Sequence, residues 1–376
     1  MWSVLVNQRL FSPLKIGALK LSHRVVMAPL TRMRAAQPGN IPQSLNTEYY
    51  RQRASQGGLI ITEGTQISPT AQGMPATPGI HSAEQIEVWK AITQAVHARG
   101  TFIVMQLWHV GRISHSSLLG GQRPVAPSAI SAPGDAFTAT FSRAPFETPN
   151  ALSTTDIPLV IEDYAQAARN ALLAGFDGVE IHAANGYLLE QFLQNRSNHR
   201  TDNYGGSIDN RCRLVLEVAT AVSQVFGPDR TGIRLSPFGI ANGSGDDNPL
   251  PLYSYLIKQL ATLDLAYLHL IEPRASGAGQ AEVNHQNVPF ASELFRPLWP
   301  NALIAAGNYS PETAEAAIGA GRTDAVAFGR LFIANPDLPE RIKIGGSLNS
   351  YDRTTFYGGG ASGYTDYPEL GTCDAG

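Results

Sequence analysis

The sequence predicts an α/β chain folded as a (β/α)8 TIM barrel, with a hairpin at its start and a long excursion after the third strand. Three observations carry this expectation. Eight short apolar runs alternate with stretches of helical periodicity, which implies parallel strands joined by crossover helices. Most of the runs are rich in Val, Ile, Leu or Phe, as strands covered on both faces should be. No G-x-G-x-x-G follows the first run, so a doubly wound open sheet, the next arrangement, lacks its fingerprint.

The strands are predicted at Val25–Ala28, Leu59–Thr62, Thr101–Gln106, Gly178–His182, Thr231–Leu235, Leu265–Leu270, Leu303–Ala306 and Ala325–Phe328. Ahead of them, Leu14–Gly17 and Leu19–Leu21 read as a small hairpin placed to plug the bottom of the barrel. Helices fill the gaps. Ser82 with Gln85 forms a capping box, Ile86, Trp89, Thr93 and Val96 share the face that follows, and Gly100 stops the helix. A second helix carries Ile161, Tyr164, Ala168 and Leu172 up to Gly175, and a third carries Leu214, Val218, Val222 and Val225 up to Gly227. Ser310-Pro311 and Asn335-Pro336 each read as an N-cap followed by proline in the first turn.

The 376 residues fit one such domain, although two smaller ones would also fit the length. The reading is a single domain over 1–376. Residues 110–154 form an excursion that caps the top of the barrel, and 371–376 form a frayed tail. Hydrophobic residues make up 43% of the chain, enough for a large core, and charged residues only 16%, which argues against long disordered tails. The formal net charge of −3 and the lack of a basic run give no reason to expect nucleic acid or an anionic membrane as partner. No run of eighteen apolar residues appears, and Val4, Leu5 and Val6 are too few for the core of a signal peptide. Cys212 and Cys373 form neither a metal-ligand spacing nor a disulfide framework, so a reduced, cytoplasmic setting is expected. The histidines are scattered, with no H-x-x-x-H, so no metal site is expected. No G-x-S-x-G elbow supports a serine triad.

Barrels of this class carry their chemistry where the strands end, so the residues just past each run are the informative ones. They include Pro29 and Thr31 after the first strand, Gly64 after the second, and Gln106 with Trp108 at the third. His182, Asn185 and Tyr187 end the fourth. Arg234 sits on the fifth, and His269 with Glu272 on the sixth. Ala306, Gly307 and Asn308 follow the seventh, and Gly329 with Arg330 the eighth. Glycines after the last two strands could hold a phosphate through backbone N–H groups, with Arg330 adding a charged contact; they would equally serve tight turns. Gln106 offers a donor and an acceptor to the edge of a flavin's pyrimidine ring. Arg234 would place positive charge near that ring, or would form an internal salt bridge. If the chain turned into a helix after the fourth strand, His182 and Asn185 would share a face and could aim two donors at one oxygen. Tyr187 beside them could supply a proton. A lone histidine at such a place is otherwise a structural hydrogen-bonding group.

The ordered segments LFSPLKIG (10–17), RVVMAPLTRMRA (24–35), ITEGTQIS (61–68), QLWHVGR (106–112) and GFDGVEIHAANGYLLEQFLQNRSNHRTDNYGGSIDNR (175–211) continue in IRLSPFG (233–239), AAGNYS (305–310), AFGR (327–330) and TFYGGGASGYTDYP (355–368). Together they resemble the Old Yellow Enzyme family of FMN-dependent ene-reductases, over about 10–370. The resemblance implies tightly but non-covalently bound FMN, held by Pro29, Thr31, Gly64, Gln106, Arg234, Ala306, Gly307, Asn308, Gly329 and Arg330. It implies that Phe356 and Tyr357 line the flavin pocket, although that pair would also suit simple loop packing. Thr31 points to the branch that includes oxophytodienoate and pentaerythritol tetranitrate reductases. His182 and Asn185 match the pair that binds the substrate's electron-withdrawing oxygen, with some relatives carrying His in place of Asn185, and Tyr187 matches the proton donor. Met74 lies where many relatives have Tyr over the substrate pocket, so with Trp108 and Tyr357 it bears on substrate range. Residues 131–148 depart most from the family.

The implied activity is ping-pong reduction of activated C=C bonds in unsaturated aldehydes, ketones or nitroalkenes. The implied hydride donor is NADPH, with NADH possible, in a monomer or homodimer. The alternatives are an FMN-barrel oxidase of hydroxy acids, which the His/Asn/Tyr set suits poorly, and a flavin-binding protein without catalysis.

Overall fold

The computed structural model describes residues 8–273 and 288–371; Val4, Leu5, Val6, Cys373 and the tail beyond Gly371 lie outside the described residues. Eight parallel strands close into a barrel. They are β1 (Val25–Met27), β2 (Leu59–Ile61), β3 (Phe102–Trp108), β4 (Gly178–Ala183), β5 (Thr231–Leu235), β6 (Tyr267–Ile271), β7 (Ala302–Ala306) and β8 (Ala325–Phe328). Each pairs with the next in sequence, and β8 pairs with β1. All eight predicted strands are present, with ends that move by one or two residues. The largest changes are β3, which runs on through Leu107 and Trp108, and β6, which begins at Tyr267 rather than Leu265. The extension of β3 arises because Thr65 and Gln66 pair with Leu107 and Trp108, which prolongs the ladder toward the barrel mouth.

The main crossover helices are α1 (Ser44–Gln52), α2 (Ala83–His97), α3 (Ile157–Leu173), α4 (Ile208–Phe226), α5 (Pro249–Ala261), α6 (Ala291–Phe295), α7 (Pro311–Gly319) and α8 (Leu338–Ile344). The capping box of α2 forms as expected, with Ser82 Oγ accepting from the Gln85 amide at 3.2 Å. Such a cap contributes about 1 kcal/mol. Ser310 caps α7 in the same way. Asn335-Pro336 does not start a helix. Asn335 instead ends the short helix Arg330–Ala334, and its side chain bonds the Leu331 carbonyl and the Asn349 amide. Helix α8 starts two residues later, with Asp337 at its N-cap.

The strands alternate strictly between two cores. Outward residues such as Ile103, Met105, Val179, Ile181, Ile233 and Leu268 pack against the helices around Trp89, Tyr164, Val218 and Leu256. Inward residues Val26, Leu59, Ile61, Val104, Tyr267, Ile304 and Ala325 form a second, smaller cluster. The antiparallel hairpin Leu14–Ile16 with Leu19–Leu21 completes that cluster from below through Ile16, Leu19 and Leu21, as the predicted plug. Farther up, the inward positions of β3–β6 become polar, with Gln106, Glu180, His182, Arg234 and His269, while Ala28, Ala306 and Ala327 stay small and apolar.

Gly232 shows how tightly the interior is filled, since a Cβ there would lie 2.2 Å from Cζ of Tyr267. Gly232→Ala is therefore expected to destabilise the fold by about 1–3 kcal/mol through overpacking. A lowered urea midpoint would register the loss, whereas an unchanged midpoint would mean that the ring moves aside freely.

Candidate active site

The registers between strands assemble the site. β3 and β4 close the barrel with Gln106 opposite Glu180. His182 then falls opposite Arg234 on β5, and Arg234 opposite His269 on β6. The inward parity of β4 thus stacks Glu180 beneath His182. Glu180 is fully buried and accepts from Gln106 Nε2 at 2.7 Å and from His269 Nδ1 at 2.9 Å. His269 is therefore a buried partner of Glu180 rather than a group at the rim. Glu272 is also structural, since it accepts from the Ala291 amide, Ser292 Oγ and Tyr309 OH.

Above this layer lies a cavity of about 1640 Å³. Its wall includes every expected cofactor and substrate residue except Phe356: Pro29, Thr31, Gly64, Met74, Gln106, Trp108, His182, Asn185, Tyr187, Arg234, Ala306, Gly307, Asn308, Gly329, Arg330 and Tyr357. Phe356 is buried behind the wall. Its carbonyl accepts from Arg32 Nε at 2.9 Å, and its ring packs against Tyr351.

Three rings converge on the cavity. Trp108 lies nearly parallel to His182, with centroids 6.5 Å apart, and Tyr187 meets both edge-on at 5.0 and 5.1 Å. Burial, with Arg234 and His269 nearby, holds the His182 imidazole well below its ordinary value, so it is neutral at pH 7. Its Nδ1 is buried and has no protein partner. Burial also raises the Tyr187 phenol above its ordinary value, so it keeps its proton.

The link from His182 to Asn185 is not helical, so the two residues do not share a helix face. Asn185 adopts φ +59°, a left-handed turn that Asn, Asp and His tolerate better than other non-glycine residues. Helix begins only at Leu188, after Tyr187. The turn is held from below by residues that the sequence reading passed over. Ser236 Oγ accepts from the Asn185 amide at 2.8 Å and donates to Glu190 at 2.6 Å. Glu190 also accepts from the Gly186 amide and the Tyr253 hydroxyl, and Gln191 donates to the Gly186 carbonyl at 2.7 Å. The available signal was the polar pair Glu190 and Gln191 inside the run LLEQFL, whose other residues are apolar.

The excursion after β3 reaches the cavity. The hairpin Asp135–Phe137 with Arg143–Pro145 brings Phe137 and Arg143 to its mouth. The Phe137 ring stands 6.3 Å from that of Tyr357. The segment bearing Tyr357 is anchored by Arg32 and Arg34, which donate to carbonyls at Thr355, Phe356, Gly360 and Gly363.

A model of the NADH:flavin oxidoreductase / NADH oxidase family matches residues 9–349. The chain belongs to that family. It is similar to a putative 12-oxophytodienoate reductase 11 of Oryza sativa subsp. japonica, at 47% identity over 96% of this chain and 97% of the rice protein. Among solved structures it is similar to morphinone reductase in complex with tetrahydroNAD, at 50% identity and a TM-score of 0.89, covering 96% of this chain and 98% of that one. It is also similar to the old yellow enzyme homologue from Zymomonas mobilis, at 44% identity and a TM-score of 0.91, covering 96% and 99%. This Old Yellow Enzyme family member is thus an NAD(P)H-dependent flavin oxidoreductase of the ene-reductase type.

The residues present fit the family's FMN. Arg234 Nε is buried at the cavity wall without a protein partner, and so is His182 Nδ1. Gln106 has committed its amide nitrogen to Glu180, which leaves its oxygen as the acceptor it can offer. A side chain at Gly64 would strike the Trp108 ring at 2.8 Å, so the wall there must stay bare. The volume exceeds the roughly 300–1,000 Å³ usual for one small ligand, which leaves space for a flavin and a second molecule. Among the described residues no cluster could hold a metal ion, and no helix is long and apolar enough to cross a membrane.

Burial raises the Glu190 carboxyl from 4.5 to about 7. Its folded pKa lies above the unfolded one, so its contribution is full below about pH 4.5 and is lost as pH rises through about 7. Glu190→Gln should therefore flatten the fall in stability between about pH 5 and 7 by about 2 kcal/mol. Urea titrations of both proteins at the two pH values test this; parallel profiles would remove Glu190 as a source.

Proposed function

We propose that this protein reduces the activated C=C bond of α,β-unsaturated aldehydes, ketones or nitroalkenes, with NADPH as hydride donor, in one barrel domain that works in a reducing, cytoplasmic setting. The observation that carries this reading is the meeting of His182, Asn185 and Tyr187 on one wall of a cavity whose floor carries Gln106 and Arg234. When bound, FMN would supply the two-electron hydride chemistry that links the nicotinamide to the alkene. Pro29, Thr31, Gly64, Gln106 and Arg234 would hold its ring system, and Ala306, Gly307, Asn308, Gly329 and Arg330 its phosphate end. Arg330 Nη2 is already steadied by Asn308 Oδ1 at 2.8 Å.

The chain's own groups then have distinct tasks. Neutral His182 donates one N–H, and Asn185 an amide N–H, to the substrate's carbonyl or nitro oxygen. Hydrogen bonds to that oxygen strengthen as negative charge grows on it, so they draw electron density from the β-carbon. Tyr187, kept protonated by its buried setting, gives its proton to the α-carbon. Trp108 holds the Tyr187 ring edge-on. Met74 and Tyr357 limit the size of the alkene's substituents. Phe137 and Arg143 roof the mouth, and the Arg143 cation suits a phosphate-bearing donor. Nicotinamide and alkene must use the same space in turn, which gives ping-pong turnover. The free, buried Cys212 thiol, pushed up to about 12 by burial, accords with a reducing compartment.

The deciding experiment is anaerobic reduction of the yellow holoenzyme with NADPH or NADH, followed by mixing with a panel of enones and nitroalkenes. Flavin reduction faster with NADPH than with NADH, and reoxidation by the alkenes at a rate independent of the donor, are expected; a reduced enzyme that no alkene reoxidises refutes the reading. Tyr187→Phe is expected to slow alkene reduction about 100-fold or more while flavin reduction stays near normal. Stopped-flow traces of the two half-reactions separate these effects, and equal losses in both would take the proton from Tyr187. His182→Ala should weaken phenol and enone binding by about tenfold, read from the flavin's spectral change, as expected for one lost hydrogen bond in a dry site.

A further inference from the structure

Glu180 touches neither the cavity nor solvent, yet it lies one layer beneath the groups that meet the cofactor. Its two oxygens are taken by Gln106 Nε2 at 2.7 Å and His269 Nδ1 at 2.9 Å. The first contact decides which way the Gln106 amide points, because a carboxylate accepts only from the nitrogen end. The second fixes the His269 tautomer, with its proton on Nδ1. Arg234 stands between His182 and His269 in the strand register and has no ion-pair partner within 4.0 Å among the described residues. Its Nε is likewise unpartnered. Glu180 is therefore the anion that faces this buried cation, through space rather than by contact. His269, Arg234 and Gln106 hold the Glu180 carboxyl below its ordinary value despite complete burial, so the charge is present at neutral pH.

We propose that Glu180 is a positioning residue for the flavin, one that turns the Gln106 oxygen toward the ring edge and sets how much of the Arg234 charge the ring experiences. This rests on the reading that FMN lies over Gln106 and Arg234. The physical consequence has a definite sign. Reduction adds negative charge to a flavin, and a nearby cation stabilises that form while a nearby anion opposes it. Removing the Glu180 charge leaves Arg234 unopposed, so the reduction potential should rise. Releasing Gln106 to rotate should weaken FMN binding by about tenfold, the worth of one buried hydrogen bond.

The test uses the holoenzyme and its reversibly stripped apoprotein. Glu180→Gln should move the midpoint potential of bound FMN upward and raise the FMN dissociation constant about tenfold. Glu180→Asp keeps the charge but shortens the reach to Gln106, so its potential should stay near wild type while FMN binding weakens; it serves also if the glutamine variant folds poorly. A loss of thermal stability with wild-type potential and wild-type FMN affinity in these variants would overturn the proposal and leave Glu180 as a structural residue only. Wild-type protein that takes up no FMN would overturn the reading of the cavity itself, and this inference with it.

Discussion

Closure of the barrel between β3 and β4 is the constraint on which the site depends. That single parallel ladder sets Gln106 against Glu180. Strand periodicity then points Trp108 and His182 the same way, one step higher. A slip of β4 by one residue would turn Glu180 and His182 outward into the helix layer. Glu180, fully buried, would then lose both donors that compensate its charge, and breaking such a network costs several kcal/mol. Register and charge satisfaction thus enforce one another, and the cavity lies above the place where they meet.

Desolvation decides the protonation states at that place. His182 is neutral because burial and two cationic or potentially cationic neighbours disfavour imidazolium. Tyr187 remains a phenol because its anion would be buried. Glu180 alone is held in its charged form, by donors aimed at both oxygens. One buried environment thus leaves an imidazole neutral, a phenol protonated and a carboxylate charged, because it acts on three different side chains.

The turn between β4 and its helix shows a second level of support. Asn185 faces the cavity, but its backbone is fixed by Ser236 on the far side, and the next amide by Glu190. Tyr253, on α5, reaches the same carboxyl. Asn185, on the cavity wall, thus sits on a left-handed turn clamped from three elements. On the opposite side, Arg32 and Arg34 bind backbone carbonyls of the 355–363 segment and so hold Tyr357 over the opening.

Much of this was legible in the linear chain, because it rests on local chemistry. The eight apolar runs, the Ser82–Gln85 and Ser310 caps, the plug hairpin and the residues at strand ends follow from periodicity and short-range hydrogen bonding. Family-like segments marked the residues that line the cavity. Other features needed the fold. Asn335-Pro336 carries a cap signal, but long-range bonds to Asn349 give Asn335 another use. Phe356 and Tyr357 are equally plausible in sequence, yet only one can face the opening once Arg32 grips the carbonyl between them. The roles of Glu180, Glu190, Ser236 and His269 could not be read from spacing. Apart from the Gly186 amide that Glu190 accepts from, their partners lie 46–89 positions away and meet only through strand register and burial. The sequence by itself determined the barrel and the groups offered at its mouth, because propensity and pattern act over a few residues. The tertiary structure alone decided their orientation and charge, because those depend on which distant groups are shut away from water together.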